Sequence, residues 1–169
     1  MKIKITIFIF LCVIMFLSGC FSTSTRYSYS GVELTIEYER FDYNFDFILE
    51  IFNNATIPYN MKSENHLAIN AMMVFPDNSD YSNMEVYVSY NQEIKRLYFE
   101  IYYSSPNATT KHISKTKEKN DWIEKVNTYY DYDKSLVDAL ANIIIDVIDE
   151  NTSEGRGEWS YKEKYSVEE

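Results

Sequence analysis

The sequence predicts an α+β protein: an antiparallel sheet of five to seven strands packed against one long C-terminal helix. Three observations carry this. Apolar residues alternate with polar ones along several separate segments, which is the mark of half-buried strands. One segment near the C-terminus instead repeats its apolar residues at helical spacing. The order along the chain is strands first and helix last, without the β-α-β alternation of a parallel sheet. A β-sandwich with an appended helix is the alternative.

The first strand covers Val32, Leu34, Ile36 and Tyr38, which alternate with Glu33, Thr35, Glu37 and Glu39. Phe41, Tyr43, Phe45 and Phe47 extend the alternation, and Ile48 to Phe52 is apolar on both sides, so this stretch also reads as strand. Asn53-Asn54 supplies turn chemistry, and Pro58 confines the residues around it to an edge or a turn. Leu67 to Phe75 predicts a further strand, closed by a turn at Pro76-Asp77-Asn78-Ser79. Met84, Val86, Val88 and Tyr90 alternate, then Leu97, Phe99, Ile101 and Tyr103 do so after a short polar segment, which predicts a hairpin. Tyr87, Tyr98 and Tyr102 fall on the opposite face, so a cover over that face is expected.

Ser104 to Asn120 reads as the least ordered stretch, with Pro106 and a run of lysines. Asp121 to Tyr130 fits either a helical turn boxed by Asp121 and Glu124 or a strand from Trp122. The clear helix is predicted over 134–149, its buried face formed by Leu136, Leu140, Ile143 and Val147 and widened by Val137, Ile144 and Ile148. Asp133 or Ser135 is expected to cap it. Asp146, Asp149 and Glu150 at its far end oppose the helix dipole, and nothing in the sequence accounts for them. Gly155 and Gly157 predict a turn, with Trp159, Tyr161 and Tyr165 on a last strand.

The N-terminus obeys different rules. Met1-Lys2-Ile3-Lys4 is a short basic segment, and Ile5 to Leu17 carries no charge. That run is shorter than the roughly 20 residues a membrane-spanning helix needs, and with its basic flank it fits an export signal. It ends in Leu17-Ser18-Gly19-Cys20, which resembles the lipobox of bacterial lipoproteins at all four positions. The resemblance covers residues 1–20 and implies a role for each motif residue. Leu17, Ser18 and Gly19 would be recognised by the signal peptidase that cuts before Cys20, and Cys20 would carry acyl chains such as palmitate. Several chains on one residue give stable attachment, where one alone binds reversibly. The expected division is a removed signal at 1–19, a lipidated cysteine with a flexible tether at 20–31, and one globular domain at 32–169. The expected location is the cell membrane or the outer membrane, with the domain on the extracytoplasmic side.

Without residues 1–19, the 14 remaining basic residues against 26 acidic ones leave a charge of −12. Such a chain is a poor partner for nucleic acid. Its net charge also predicts that the domain stands off anionic headgroups. Cys12 would leave with the signal and Cys20 would be acylated, so no disulfide or thiol chemistry is expected in the mature domain.

The chain offers no catalytic, cofactor-binding or metal-binding set. His66 and His112 are the only imidazoles, and no Gly-x-Ser-x-Gly elbow is present. Asp131-x-Asp133-x-Ser135 begins like a calcium loop, but Leu136 stands where glycine is needed and Asn142 where glutamate is needed; helix capping explains the acids better. Lys111, Lys115, Lys117 and Lys119 form the one basic cluster, either a solvated loop or a contact for headgroups or an acidic partner.

The expected function is therefore a membrane-anchored, non-enzymatic binding or assembly module that meets another envelope protein. The short segment Asn53–Pro58 is faintly similar to the strand-turn-strand of immunoglobulin-like envelope domains, in keeping with the same function. The alternative is an inhibitor or immunity lipoprotein that neutralises a basic secreted protein such as a lysozyme or toxin. A third reading is an envelope hydrolase, which requires His66 or His112 to face a carboxylate in a deep pocket.

Overall fold

Alternation along the chain builds one sheet, and one face of that sheet is buried beneath the long C-terminal helix with a shorter helix beside it. The computed structural model describes residues 24–153, 157–162 and 165–168. Leu17, Ser18, Gly19 and Cys20, and with them the signal and lipidation assignments, lie outside the described residues.

In chain order the elements are β1 (Thr25–Tyr38), α1 (Phe45–Asn54), β2 (Tyr59–Ser63), β3 (His66–Asn70), α2 (Ala71–Val74), a 3-10 turn (Ser79–Asn83), β4 (Met84–Asn91), β5 (Arg96–Ile113), α3 (Thr116–Asn151), β6 (Glu158–Tyr161) and β7 (Ser166–Glu168). The sheet has seven strands in the order β2-β3-β4-β5-β1-β6, with β7 also on β1, and every pairing is antiparallel. With the long C-terminal helix this is the predicted α+β class.

The inner face is formed by Leu34 and Ile36 of β1, Leu67 and Ile69 of β3, Val86 and Val88 of β4, and Leu97, Phe99 and Ile101 of β5, all buried. Helix α3 lies over it and contributes Trp122, Val126, Tyr130, Val137, Leu140, Ala141, Ile144, Ile145 and Ile148. These recur at steps of three and four, so a 36-residue helix keeps one stripe on the sheet. The stripe is rotated from the expected one: Ile145 is buried, Val147 is only partly buried, and Ile143 is 39% exposed.

Five local expectations are corrected. The tether expected up to Gly31 is strand from Thr25 onward, paired with β5 on one side and β7 on the other. Period two does begin at Tyr27 and Tyr29, but a bulge between Tyr29 and Gly31 slips it by one residue and breaks its continuity with Val32. Gly31 has φ +142°, and a Cβ there would lie 1.9 Å from the Tyr103 carbonyl oxygen, so the bulge needs glycine.

Second, the aromatic run from Phe45 is helix. Asn44 caps it by accepting from the Phe47 amide at 2.9 Å, and Phe45, Ile48 and Phe52 then fall on one buried face. Third, the strand expected over 67–75 stops at Asn70, which caps the short α2 by accepting from the Met72 amide. Fourth, Ser104 to Ile113 continues β5. Pro106 and Lys111 are accommodated in a strand paired with β1, and Thr110 donates across to Ser28 at 3.2 Å. Fifth, α3 starts at Thr116, so Asp133 and Ser135 lie in mid-helix and cap nothing, and residues 121–130 are helical.

Among the described residues, one of the acids at the end of α3 has a hydrogen-bond partner. Tyr38 donates to Asp149 at 2.6 Å, tying the helix end to β1.

Candidate functional site

The sheet has a second face, and the cover expected over it is not there among the described residues. Its side chains are partly exposed and their placement comes from the register. Glu85, Tyr102 and Glu33 lie in one row across β4, β5 and β1; Tyr87, Glu100 and Thr35 lie in the next; Ser89, Tyr98 and Glu37 lie in a third. On β3, His66 pairs with Ser89 and Ala68 with Tyr87. On β6, Ser160 pairs with Thr35 and Glu158 with Glu37. Strict alternation puts every one of these on the face away from α3. The result is a grid in which tyrosines and carboxylates are cross-strand neighbours.

The grid is internally bonded. Tyr87 donates to Glu85 at 3.0 Å, and this bond with a carboxylate raises the Tyr87 phenol above its ordinary range. Tyr102 is raised as well, first by partial burial and then by the charges of Glu100 and Glu33. The Tyr87 ring lies 6.0 Å from Tyr102 edge to face, and 5.7 Å from His66. Arg96 pairs with Glu37 at 2.7 Å, and Lys162 pairs with Glu33 at 2.5 Å. Among the described residues Glu85, Glu100 and Glu158 form no ion pair.

Two concavities adjoin at Tyr102. One is a shallow depression of about 420 Å³ lined by His66, Glu85, Tyr87, Glu100 and Tyr102. The other, about 490 Å³, opens at the Gly31 bulge between β6 and β7, with Ser28, Ser30, Glu33, Ser104, Lys162 and Tyr165 on its walls. Gly31 lines this concavity and allows the bulge, because a Cβ there would run into the β5 backbone at Tyr103 and Ser105.

The residues singled out by their chemistry in the sequence divide clearly on this map. His66 joins the grid beside Tyr87, but among the described residues no hydrogen bond links it to a carboxylate or to Ser89. His112 is exposed on β5 at the far end of the sheet and does not approach His66. Among the described residues no group of three His, Cys, Asp or Glu side chains is placed to hold a metal ion. Asp131, Asp133 and Ser135 do not converge on a common point: Asp133 is wholly buried, while Ser135 bonds back to the Tyr132 carbonyl.

The buried Asp133 is a separate polar feature, on the inner side. It accepts from the Tyr29 hydroxyl through Oδ2, and its Oδ1 has no hydrogen-bond partner among the described residues. Burial, then the bond with Asp133, raises the Tyr29 phenol strongly. Tyr103 nearby is pushed up to about 12 by burial and by the charge of Asp133. A second cluster stands at the β6 edge, where Lys134 donates to Asp138 at 2.6 Å, Tyr161 donates to the same carboxylate, and the Lys134 ammonium sits 4.1 Å above the Tyr161 ring. These two clusters join α3 to the sheet.

Comparison with family models, with curated proteins and with solved structures finds no match for this chain.

Proposed function

We propose that the protein is a lipid-anchored envelope module that binds another protein without catalysis, and that the outer sheet face is its binding surface. The observation that carries this reading is the uncovered grid of Tyr87, Tyr98 and Tyr102 interleaved with Glu33, Glu37, Glu85 and Glu100. Tyrosine suits recognition because it offers a broad apolar ring and a hydroxyl at little cost in side-chain entropy. The carboxylates give the face its sign. Only Arg96 and Lys162 offset them among the described residues, so the complementary partner is cationic. Lipid on Cys20 would hold this face near the membrane surface.

The same charge supports the second reading, an inhibitor or immunity lipoprotein against a basic secreted protein such as a lysozyme or toxin. Steering by complementary charge accelerates encounter and fades with salt. The test is capture of a panel of purified basic proteins at low and high salt by the wild type and by a Glu85→Gln/Glu100→Gln variant. The expected result is capture that weakens with salt and with the double substitution. Capture indifferent to both, or no capture, would remove the cationic-partner reading. A hydrolase finds less support, because His66 lies in a shallow depression and is not bonded to a carboxylate among the described residues.

A further inference from the structure

The lysines at one end of the molecule stand apart from its other basic residues. Among the described residues, Arg26, Arg40, Lys95, Arg96, Lys134 and Lys162 each pair with a carboxylate. Lys111, Lys115, Lys117 and Lys119 do not, and all four are exposed. Lys119 instead lies 5.6 Å over the Tyr27 ring. Lys62 and Lys125 also form no ion pair among the described residues, but each stands singly in the sequence. Residues 111–119 contain four lysines and one acidic residue, Glu118, in a chain that is otherwise strongly acidic. On α3, Asp121 follows one turn after Lys117 but forms no ion pair with it among the described residues, Glu124 lies a turn farther on, and Glu168 is engaged with Arg26. Lysines in the first turn of a helix also oppose its dipole, so helix stability does not explain Lys117 and Lys119.

The fold says what this end faces. Thr25 pairs with Ile113, so the strand after the N-terminal segment begins beside Lys111 and Lys115. The opposite end of the sheet, where Tyr38 pairs with Leu97 and the β4–β5 turn projects, is on the order of 40 Å away along β1. Because strand begins at Thr25, only residues 21–24 separate it from Cys20. The five residue steps from Cys20 to Thr25 reach at most about 18 Å even when extended. That is within about two Debye lengths at moderate salt, one being roughly 10 Å.

We infer that the lysine end docks on the anionic phospholipid headgroups of the membrane that holds the anchor. This rests on the reading of Cys20 as lipidated, and it fixes an orientation. The long axis stands away from the bilayer, and the net charge of −12 belongs to the whole domain, whereas residues 111–119 carry four lysines against Glu118. The far end, with the β4–β5 turn and the acidic end of α3, is held outermost. The outer sheet face then runs up the side of a standing molecule, open to a partner.

The test uses the full chain, matured in cells and reconstituted in bilayers of phosphatidylcholine with or without phosphatidylglycerol. A spin label is placed at Asn120→Cys or at Gln92→Cys, and its relaxation by nickel-chelating headgroups is read. Mass spectrometry of the same samples reports acylation of Cys20. The expected result is a several-fold greater effect at Asn120 than at Gln92 in anionic bilayers. The difference should shrink in neutral bilayers, at high salt, and in a Lys111→Gln/Lys115→Gln/Lys117→Gln/Lys119→Gln variant. Acylated protein with equal effects at the two labels, or with a difference unmoved by lipid charge, would overturn the docking and leave the anchor standing. Absence of the lipid mass would overturn the anchor, and the docking with it.

Discussion

Tyr29→Phe removes a single oxygen from the core, and its cost is set by the group that oxygen touches. Asp133 is wholly buried in mid-helix, and Oδ1 already lacks a hydrogen-bond partner among the described residues. The Tyr29 hydroxyl is the donor to the other oxygen. Phenylalanine fills nearly the same space, so little cavity is made; the change is that a buried carboxylate loses its donor. A hydrogen bond to a charged group is worth about 1.5–3 kcal/mol, and an uncompensated buried charge costs about 3–5 kcal/mol. The expected loss is therefore about 3 kcal/mol, or a Tm lower by roughly 6–12 °C for a domain of this size. Urea denaturation of Tyr29→Phe, Asp133→Leu and the double variant measures it. The double variant, with neither polar group, should lie well above Tyr29→Phe in stability, because replacing both partners removes the orphaned charge. A loss under about 0.5 kcal/mol for Tyr29→Phe, the scale of a neutral surface change, would refute the reasoning.

Other expectations come from the same structure. Gly31→Ala should cost about 3 kcal/mol in denaturant melts, since the new Cβ meets the Tyr103 carbonyl and positive φ is strained. Alkaline stability should be level below pH about 10 and then fall. Tyr103 is held up to about 12 and Tyr29 is also raised, so the fold keeps protons that the unfolded chain releases first; each group contributes up to about 1.4 kcal/mol per pH unit, and melts at stepped pH with phenolate absorbance report it. Cys20→Ala should leave an uncut precursor without lipid, read by gel mobility and metabolic lipid labelling; normal labelling of that variant would contradict the anchor.

Period two was legible wherever a strand is buried on one side and charged on the other, as in Val32 to Tyr38, Met84 to Tyr90 and Leu97 to Tyr103. It misled at Phe41 to Phe47, where aromatics at every second position also satisfy a helix that starts at Phe45. The deciding signal was Asn44, a capping residue placed one position before an apolar face. It was hidden again at Thr25 to Gly31, because a bulge shifts the phase and serine and threonine suggest a linker while they pair across strands. Helix α3 was half-visible: its first half spaces the buried residues Trp122, Val126 and Tyr130 by four but surrounds them with charge, so no continuous apolar stripe announces it. The outer face is the plainest omission. Alternation alone puts its tyrosines on the outer side of their strands, but a row that joins Glu85, Tyr102 and Glu33 exists only once register is known.

The outer face, as proposed, binds a cationic protein while Cys20 holds the domain at a membrane. Site-specific photo-crosslinking in cells tests this most directly, with a benzophenone side chain at Tyr87 or Tyr98 on the face and at Ile143 on the exposed back of α3. The predicted result is a discrete adduct from Tyr87 and Tyr98, identified by mass spectrometry as one basic envelope or secreted protein, and lost in the Glu85→Gln/Glu100→Gln background. Adducts from Ile143 alone, or an acidic partner at Tyr87, would contradict it.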